Sequence, residues 1–290
     1  EYSDYGAIYE LNVDAVTGEV AFIERWEATT GNTDDVMGTL DVSADGKTAV
    51  IMDLYQITTV KFGDDGSVLE SFEVEATKMD PSRVGRRHIA LDASGEFAYA
   101  TFQSTITSSN PPAHSRYSAV EKIDVSSSIA DERVANLRFS SPEQARGVTV
   151  ANGYAFVAAG QQGVQLLDTA DIGALSLSTY YQTPMRAIDM SVSTDKNQAF
   201  AIGDKALSII DLISKDKPAM ATQWADDYFN NVLDGNNRSY PMAATDVAIV
   251  KVAEDKEIAV VATGRKETSS DNSSQLLVCL LYTSPSPRDD

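Results

Sequence analysis

The chain has 290 residues, 43% of them hydrophobic, and it carries 43 Asp and Glu against 23 Lys and Arg, for a net charge of −20. A surface this acidic repels phosphate backbones and anionic headgroups, so nucleic acids and membrane surfaces are poor candidate partners. The composition is that of a globular domain, and no apolar run approaches the length that spans a bilayer. A merely well-solvated surface would carry the same charge, so the charge alone does not indicate bound cations.

The first elements along the chain are two β-type runs, "GAIYELNV" and "EVAFIERWEA". We interpret them as the last two strands of a four-stranded unit. The opening "EYSDYGAIYELNV" has neither the basic segment nor the apolar core of a signal peptide. We therefore expect that an earlier part was removed by processing or lies outside this sequence.

A hairpin-like unit then recurs along the chain. Four copies align without gaps: "LDVSADGKTAVIM" from Leu40, "IALDASGEFAYAT" from Ile89, "MSVSTDKNQAFAI" from Met190 and "VKVAEDKEIAVVA" from Val250. A fifth, "VTVANGYAFVAA" from Val148, joins them with one residue fewer at the turn. An alternating run, a tight polar turn and a second run of small and β-branched residues predict a two-stranded hairpin in each copy.

Each hairpin is followed by a third run and usually by a fourth. We predict third strands over 57–62, 118–125, 163–168, 206–211 and 274–278, and fourth strands over 67–74, 132–139, 175–182 and 219–225. Four short strands per unit, with almost no helical periodicity, are typical of a β-propeller blade. The predicted fold class is therefore all-β, a β-propeller of four-stranded antiparallel blades. It is expected to be incomplete, with about six blades' worth of a seven-bladed parent.

Two parts of the chain resemble known propeller repeats. The stretch "ARGVTVANGYAFVAAGQQGVQLLDTADIGALSLSTYYQTPMRAIDMSV" resembles the LVIVD-type repeat, with "GVQLLD" as its third strand. The units "DVSADGKTAVIM" and "DASGEFAYATF" are similar to the turns of lactonase-like, YVTN-type propellers. The resemblance covers most of residues 40–278 and implies a WD40-like propeller. It implies no single function, because many unrelated activities share this pattern.

The last residues differ in character from the rest of the chain. The stretch "CLLYTSPSPRD", Cys279 to Asp289, resembles a one-frame translation of a transposase-type sequencing adapter. We interpret residues 279–290 as a non-native tail and residues 1–278 as one propeller domain truncated at both ends. Residues 1–278 then hold no cysteine, which excludes disulfides, thiolate metal sites and a Cys nucleophile from that segment. The alternative is a genuine strand "LLVCLLY" before a Pro-rich end.

The long connections are predicted to share one face of the propeller. In a blade the 1–2 and 3–4 turns lie at one end, and the 2–3 connections and the links between blades lie at the other. The long segments all belong to the second set: 75–87 and 225–241 between blades, and 103–117 and 264–274 between strands 2 and 3. Long connections in compact domains are usually functional or disordered. We expect this face to bind a protein or a small anionic ligand near the mouth of the central channel.

Candidate ligand-binding residues fall on that face. Near the channel they are Arg87, His88, Arg146, Arg186, Asp189 and Asp246, and in the 225–241 connection they are Tyr228, Phe229 and Tyr240. Arginine presents a planar fork of donors to carboxylates. Alternatively, the arginines pair with acidic neighbours such as Asp80, Glu143 and Asp189. The aromatic rings are either a stacking surface or anchors for their own connection.

No common catalytic motif occurs, and we assign no catalytic residue. The Asp-rich turns 63–67 and 234–239 lack the spacing of an EF-hand, so calcium is unsupported and no cofactor is expected. The first hypothesis is a binding scaffold located outside the cell, in the periplasm or on the cell surface. The alternative is a lactonase-like, metal-dependent hydrolase using Asp189, Asp246 and His88. A third possibility is that this arc supports a larger assembly.

Overall fold

A computed structural model gives the structure of the chain. The residues that it describes are 7–13, 20–27, 39–52, 57–74, 84–104, 118–128, 133–139, 145–171, 173–183, 186–193, 197–203, 207–212, 219–224, 242–253, 256–265 and 275–281. Every regular element in these ranges is a β-strand. They contain no helix long and apolar enough to cross a membrane.

The strands form separate antiparallel sheets in which each strand pairs with the next one along the chain. An N-terminal pair consists of β1 (Ala7–Val13) and β2 (Val20–Glu27). Sheet 1 contains β3 (Thr39–Val42), β4 (Thr48–Met52), β5 (Ile57–Phe62) and β6 (Val68–Val74). Sheet 2 contains β7 (Val84–Leu91), β8 (Phe97–Ser104), β9 (Ser118–Asp124) and β10 (Arg133–Phe139).

The second half of the chain repeats this arrangement. Sheet 3 contains β11 (Val148–Ala151), β12 (Tyr154–Ala158), β13 (Val164–Asp168) and β14 (Ser176–Tyr181). Sheet 4 contains β15 (Ala187–Ser193), β16 (Gln198–Gly203), β17 (Leu207–Asp211) and β18 (Ala219–Trp224). Sheet 5 contains β19 (Met242–Ala253), β20 (Lys256–Arg265) and β21 (Gln275–Leu281).

This pattern confirms the predicted four-stranded antiparallel units, and the predicted third and fourth strands agree with the structure to within a few residues. Two boundaries were wrong. The connection predicted over 75–87 ends earlier, because β7 already begins at Val84 and includes Arg87. The strand predicted over 274–278 continues to Leu281, so Cys279 pairs with Ala259. The interpretation of residues 279–290 as a non-native tail stays a prediction.

The hairpin turn between the first and second strands explains why the copy of the repeat in sheet 3 is shorter than those in sheets 1 and 2. In sheets 1 and 2 a four-residue turn places Gly46 at φ +71° and Gly95 at φ +69°, a backbone region that glycine enters without strain. In sheet 3, Ala151 pairs with Tyr154 across the two-residue turn Asn152–Gly153, where both residues have positive φ. Asn-Gly is the sequence that such two-residue hairpins favour. The turn is therefore two residues shorter than those of sheets 1 and 2, where the sequence alignment predicted one.

The hydrophobic core lies between consecutive sheets. One buried cluster joins sheets 1 and 2, a second joins sheets 2 and 3, a third joins sheets 3 and 4, and a fourth joins sheets 4 and 5. An alanine of each second strand is buried at the same position in the hairpin register. These residues are Ala49, Ala98, Ala155, Ala199 and Ala259. A small side chain at this position allows neighbouring sheets to approach closely.

Lys122 ties sheet 2 to sheet 3 at the end of the sheets that carries the 3–4 turns. This buried side chain on β9 donates from Nζ to the backbone oxygens of Thr169, at 3.1 Å, and of Asp171, at 3.3 Å. The same Nζ lies 4.6 Å from the centre of the Phe97 ring. Burial lowers the pKa of Lys122. The ammonium group therefore replaces its lost hydration with two carbonyls and a ring face.

Replacing Lys122 with methionine should destabilise the fold by about 2 kcal/mol, because the apolar stem stays while two charge-assisted hydrogen bonds are lost. Denaturant unfolding measures the change. The matched control is Lys47→Met, since the exposed Lys47 makes a surface ion pair with Asp64. We expect no resolvable change in the control. Equal effects in the two variants would contradict this role for Lys122.

Candidate functional site

The topology assigns the four long connections to the same end of the sheets, which we call the long-connection end. Two of them run between strands 2 and 3 of a sheet, from β8 to β9 and from β20 to β21. The other two link β6 to β7 and β18 to β19. The connecting residues themselves lie outside the described part of the chain, as do Tyr228, Phe229 and Tyr240. The chain also enters the first strands β7, β11, β15 and β19 from this end.

These first strands lie side by side and carry a ring of residues at one level, which we call the inner ring. In their hairpins, Thr39 pairs with Met52, His88 with Thr101, Asp189 with Ile202 and Asp246 with Ala262. Gly147 accepts a hydrogen bond from Ala158, which occupies the same position in β12. The inner ring therefore consists of Thr39, His88, Gly147, Asp189 and Asp246. Alignment of the sequence repeats predicts Ile249 at this position in sheet 5, but strand pairing places Asp246 there.

Side chains of the inner ring bond to the next sheet along the chain. Thr39 Oγ1 accepts a 3.1 Å hydrogen bond from the backbone N–H of Ile89. Asp189 Oδ2 accepts a 3.4 Å hydrogen bond from the backbone N–H of Val247. Ile89 and Val247 each directly follow the ring position of their own sheet. The ring residue thus accepts a hydrogen bond from the first strand of the next sheet twice, once from sheet 1 to sheet 2 and once from sheet 4 to sheet 5.

His88 and Asp189 meet although their sheets are not neighbours. The His88 Nε2 atom lies 3.9 Å from the Asp189 Oδ1 atom, so the two form an ion pair when the imidazole is protonated. β7 and β15 are separated by the first strand of sheet 3, whose ring residue is Gly147. Asp189 is buried and His88 is partly exposed.

Gly147 allows this contact because it has no side chain. A Cβ atom on Gly147 would lie 2.1 Å from Asp189 Oδ1 and 2.7 Å from the Asp189 Cα atom. The backbone N–H of Gly147 also donates to the carbonyl of Ile188 at 3.0 Å, which holds the two strands at this separation. The carboxylate of Asp189 therefore fills the space that a side chain would occupy.

Asp41 adds a second carboxylate near His88. Its Oδ2 atom accepts a 2.7 Å hydrogen bond from the backbone N–H of Leu91, and its Oδ1 atom accepts one of 2.9 Å from Val42. Burial raises the pKa of Asp41, although these hydrogen bonds and the nearby His88 oppose the rise. Sequence analysis missed Asp41. The available signal was its place two residues after ring position Thr39.

A strand irregularity precedes each of the three titratable ring residues. The register shifts between Arg86 and His88, between Ala187 and Asp189, and between Ala244 and Asp246. Such bulges re-aim side chains and are common beside functional sites. His88, Asp189 and Asp246, the three residues considered for a hydrolase, therefore occupy equivalent register positions, and each follows a β-bulge or similar irregularity. The side chain of Asp246 lies outside the described set.

The predicted arginines flank the inner ring. Arg146 and Arg186, both partly buried, directly precede ring residue Gly147 and strand β15, respectively. The backbone of Arg146 is fixed by its N–H, which donates to Ala158 O, and by its carbonyl, which accepts from Thr101 Oγ1. Arg87 lies within β7, and its side chain is not among those described. The structure therefore brings His88 and Asp189 together, with Arg146 and Arg186 close by in the chain.

The described side chains include no group of three or more His, Cys, Asp or Glu arranged to hold a metal ion. The pair that the structure does form, His88 with Asp189, has one carboxylate oxygen on a backbone N–H and the other toward the imidazole. That arrangement connects the first strands of sheets 2, 4 and 5.

Comparison with known proteins gives the fold and no closer relationship. No protein-family model matches the chain, and no curated protein matches it. Among solved structures, Sqt1 of Chaetomium thermophilum bound to the N-terminus of ribosomal protein L10 aligns with a TM-score of 0.56 at 11% identity, over 91% of this chain and 67% of its own. The chain has a β-propeller fold.

Two further structures align in the same way. Sqt1 of the same organism without the L10 segment gives a TM-score of 0.55 at 13% identity, over 91% of this chain and 64% of its own. A chain of the mitotic checkpoint complex gives 0.50 at 11% identity, over 97% and 86%. The propeller described here thus spans about two thirds of the Sqt1 chains. At these identities the likeness shows the fold alone.

Substituting alanine for Gly147 should destabilise the propeller by about 2 kcal/mol or more. The added methyl group would overlap the carboxylate and the Cα atom of Asp189, and the Cα atom cannot move without shifting the strand. Thermal or denaturant unfolding measures the loss. Gly173→Ala is the matched control, since its nearest neighbour would be Asp171 Oδ1 at an ordinary 3.7 Å. A Gly147→Ala protein as stable as the Gly173→Ala protein would disprove the close packing.

The raised pKa of Asp41 predicts a pH dependence of known sign. Burial makes the charged carboxylate of Asp41 less favourable in the folded protein than in the unfolded chain. As the pH drops from neutral toward the unfolded pKa of 3.8, Asp41 is protonated first in the folded protein, and this destabilisation is relieved. Relative to Asp41→Asn, the wild-type protein should therefore gain stability between about pH 7 and about pH 4. The comparison repeated in a His88→Gln background isolates the carboxyl group. A difference that stays constant or shrinks as the pH falls would contradict the assignment.

Proposed function

We propose that this propeller is a binding scaffold that holds a partner at its long-connection end. The observation that carries the proposal is that strand topology assigns four long connections to one end of the sheets. Arg146 and Arg186 precede the first strands of sheets 3 and 4 at that same end. The opposite end carries tight turns such as Asn152–Gly153. Extended connections on a rigid scaffold are where propellers and other folds place recognition residues.

The structural neighbours support a scaffold role in general terms. The solved Sqt1 complex contains a bound protein segment, the N-terminus of ribosomal protein L10, and the checkpoint structure is a multiprotein assembly. These facts describe those proteins. For the present chain the support comes from its own site.

At the inner ring we propose recognition of an anionic group, such as a carboxylate of a partner protein or of a small molecule. Arg146 and Arg186 supply the positive charge, and they directly precede ring residue Gly147 and strand β15, respectively. On a chain of net charge −20, two partly buried arginines beside one channel are a local exception to the overall field. Arginine matches carboxylates in charge and in planar geometry.

The hydrolase alternative keeps one favourable observation, since His88, Asp189 and Asp246 occupy one level of the channel. An enzyme of that class would need these groups to hold a metal that polarises an ester. Hydrolysis of simple lactones that is abolished by EDTA and restored by a divalent metal would establish it. The LVIVD or YVTN subtype and a location outside the cytoplasm stay predictions.

The binding proposal can be tested with tri-glutamate as an anionic probe. The chain has two histidines, so His114→Ala leaves His88 as a single imidazole reporter for NMR. We expect tri-glutamate to shift the His88 signals. Arg186→Gln should weaken the affinity by about tenfold, the size expected for one charge-assisted contact of about 1.4 kcal/mol.

The matched control removes one positive charge from the opposite end. Lys47→Gln lowers the net charge by the same amount, and the exposed Lys47 lies in a 1–2 turn. Its affinity for tri-glutamate should equal that of the parent protein. No shift of the His88 signals at millimolar peptide, or equal losses in the two variants, would disprove an anion site at the inner ring.

A further inference from the structure

We infer that the outer groove between sheets 2 and 3 is a second interaction surface that takes an extended, net-basic peptide segment of a partner protein. The surface is distinct from the inner ring, and its evidence does not depend on the anion site. Its residues are Leu137 on β10, Gln165 on β13, and Leu177 and Tyr180 on β14, with Gln162 at the long-connection end. We call it the blade 2–3 groove.

Strand register places these sheet 3 side chains on the side that faces sheet 2. Gln165 pairs with Val157 and Tyr180, while Leu167 pairs with Leu177. Val157 and Leu167 belong to the core cluster shared with sheet 2, and Leu137 packs on that cluster. Residues paired across antiparallel strands share a face, so Gln165, Leu177 and Tyr180 also face sheet 2.

The outer part of this face is apolar and open. Leu177 is 50% exposed and Tyr180 is 60% exposed, on an outer strand whose residues, Ser176–Tyr181, carry no charge. Outer strands are normally protected by charged side chains, as β6 is by Glu70 and Glu73. Exposed large side chains on an uncharged edge are typical of a surface that contacts another chain.

The base of the groove holds an acceptor without a donor. Gln165 is only 6% exposed, and its Nε2 atom donates to Gln162 Oε1 at 2.8 Å. Its own Oε1 atom is buried and receives no hydrogen bond from the part of the chain that the structure describes. A buried carbonyl in this state costs free energy that an incoming N–H donor would recover. The geometry therefore calls for a donor together with an apolar side chain that lies against Tyr180 and Leu177.

An extended peptide supplies both features, because its backbone N–H groups alternate with its side chains. The sign of its charge follows from the field of the whole protein. A chain with a net charge of −20 attracts a basic segment, and the described groove residues contain no charge that would oppose one. The occupant is thus a strand-like segment with an apolar residue between basic ones.

Selection from a displayed library of random dodecapeptides tests the inference with the complete chain. We expect enriched sequences to be net basic with an apolar residue near the centre. Their synthetic versions, followed by fluorescence anisotropy, should bind about tenfold more weakly to Tyr180→Ala and to Gln165→Leu. Tyr180 is exposed, so Tyr180→Ala keeps the fold even where the buried Gln165→Leu change perturbs it.

Two matched controls separate this surface from others. Leu69→Ser removes an apolar side chain of 70% exposure from the outer strand of sheet 1 and should leave binding unchanged. Arg186→Gln, which tests the anion site, should also leave it unchanged, so failure of one proposal is distinguishable from failure of the other. An absence of enrichment, enrichment of acidic peptides, or affinities insensitive to Tyr180→Ala would overturn the inference. Self-association lost in Tyr180→Ala would likewise overturn it by identifying a second copy as the occupant.

Discussion

The free edge of each first strand is the constraint on which the channel depends. In the described part of the chain, β3, β7, β11, β15 and β19 each stand at the edge of their own sheet, so their outward N–H groups need acceptors from elsewhere. For β15 one such partner is Gly160, which exchanges backbone hydrogen bonds with Ala187. Thr39 and Asp41 accept from sheet 2, and Asp189 accepts from sheet 5. An edge left without such acceptors would either carry unsatisfied donors or attract another strand. Much of the polar chemistry at the channel is therefore required by the architecture itself.

The same constraint changes how the polar residues of the inner ring should be interpreted. A histidine and an aspartate close together in a channel resemble a reactive pair, yet Asp189 already uses one oxygen to bind a neighbouring strand. The pair exists because Gly147 leaves the intervening space empty. Structural and functional roles thus share one set of atoms. A ligand contact at this level through Asp189 would compete with the hydrogen bond that its Oδ2 atom accepts from Val247.

The fold could be predicted from the sequence because a propeller blade is a local unit. Each strand pairs with the next along the chain, so alternation and turn residues were sufficient to locate the third strands of sheets 1 to 5 and the fourth strands of sheets 1 to 4. The alanine column, from Ala49 to Ala259, shows why the repeat is visible at all, since the same packing requirement recurs in each sheet. Errors arose where a local pattern met a bulge. Strand register places Asp246 three residues before the aligned position, because the β19–β20 hairpin is longer between the ring and its turn and its register shifts after Lys251.

The candidate site was only partly predictable, for a different physical reason. His88, Asp189 and the arginines were identified by residue type and position, but their contacts depend on what the neighbouring sheet lacks. No pattern of charges indicates that a glycine in sheet 3 lets side chains from sheets 2 and 4 meet. Similarly, "GVQLLD" predicts a strand correctly but does not show that Gln165 will be buried with its Oε1 atom unsatisfied. Features of this kind arise between sheets, whereas sequence periodicity describes each sheet alone. In a propeller, recognition therefore varies most where adjacent sheets meet, because small changes there alter the contacts while the hairpins that build the fold remain intact.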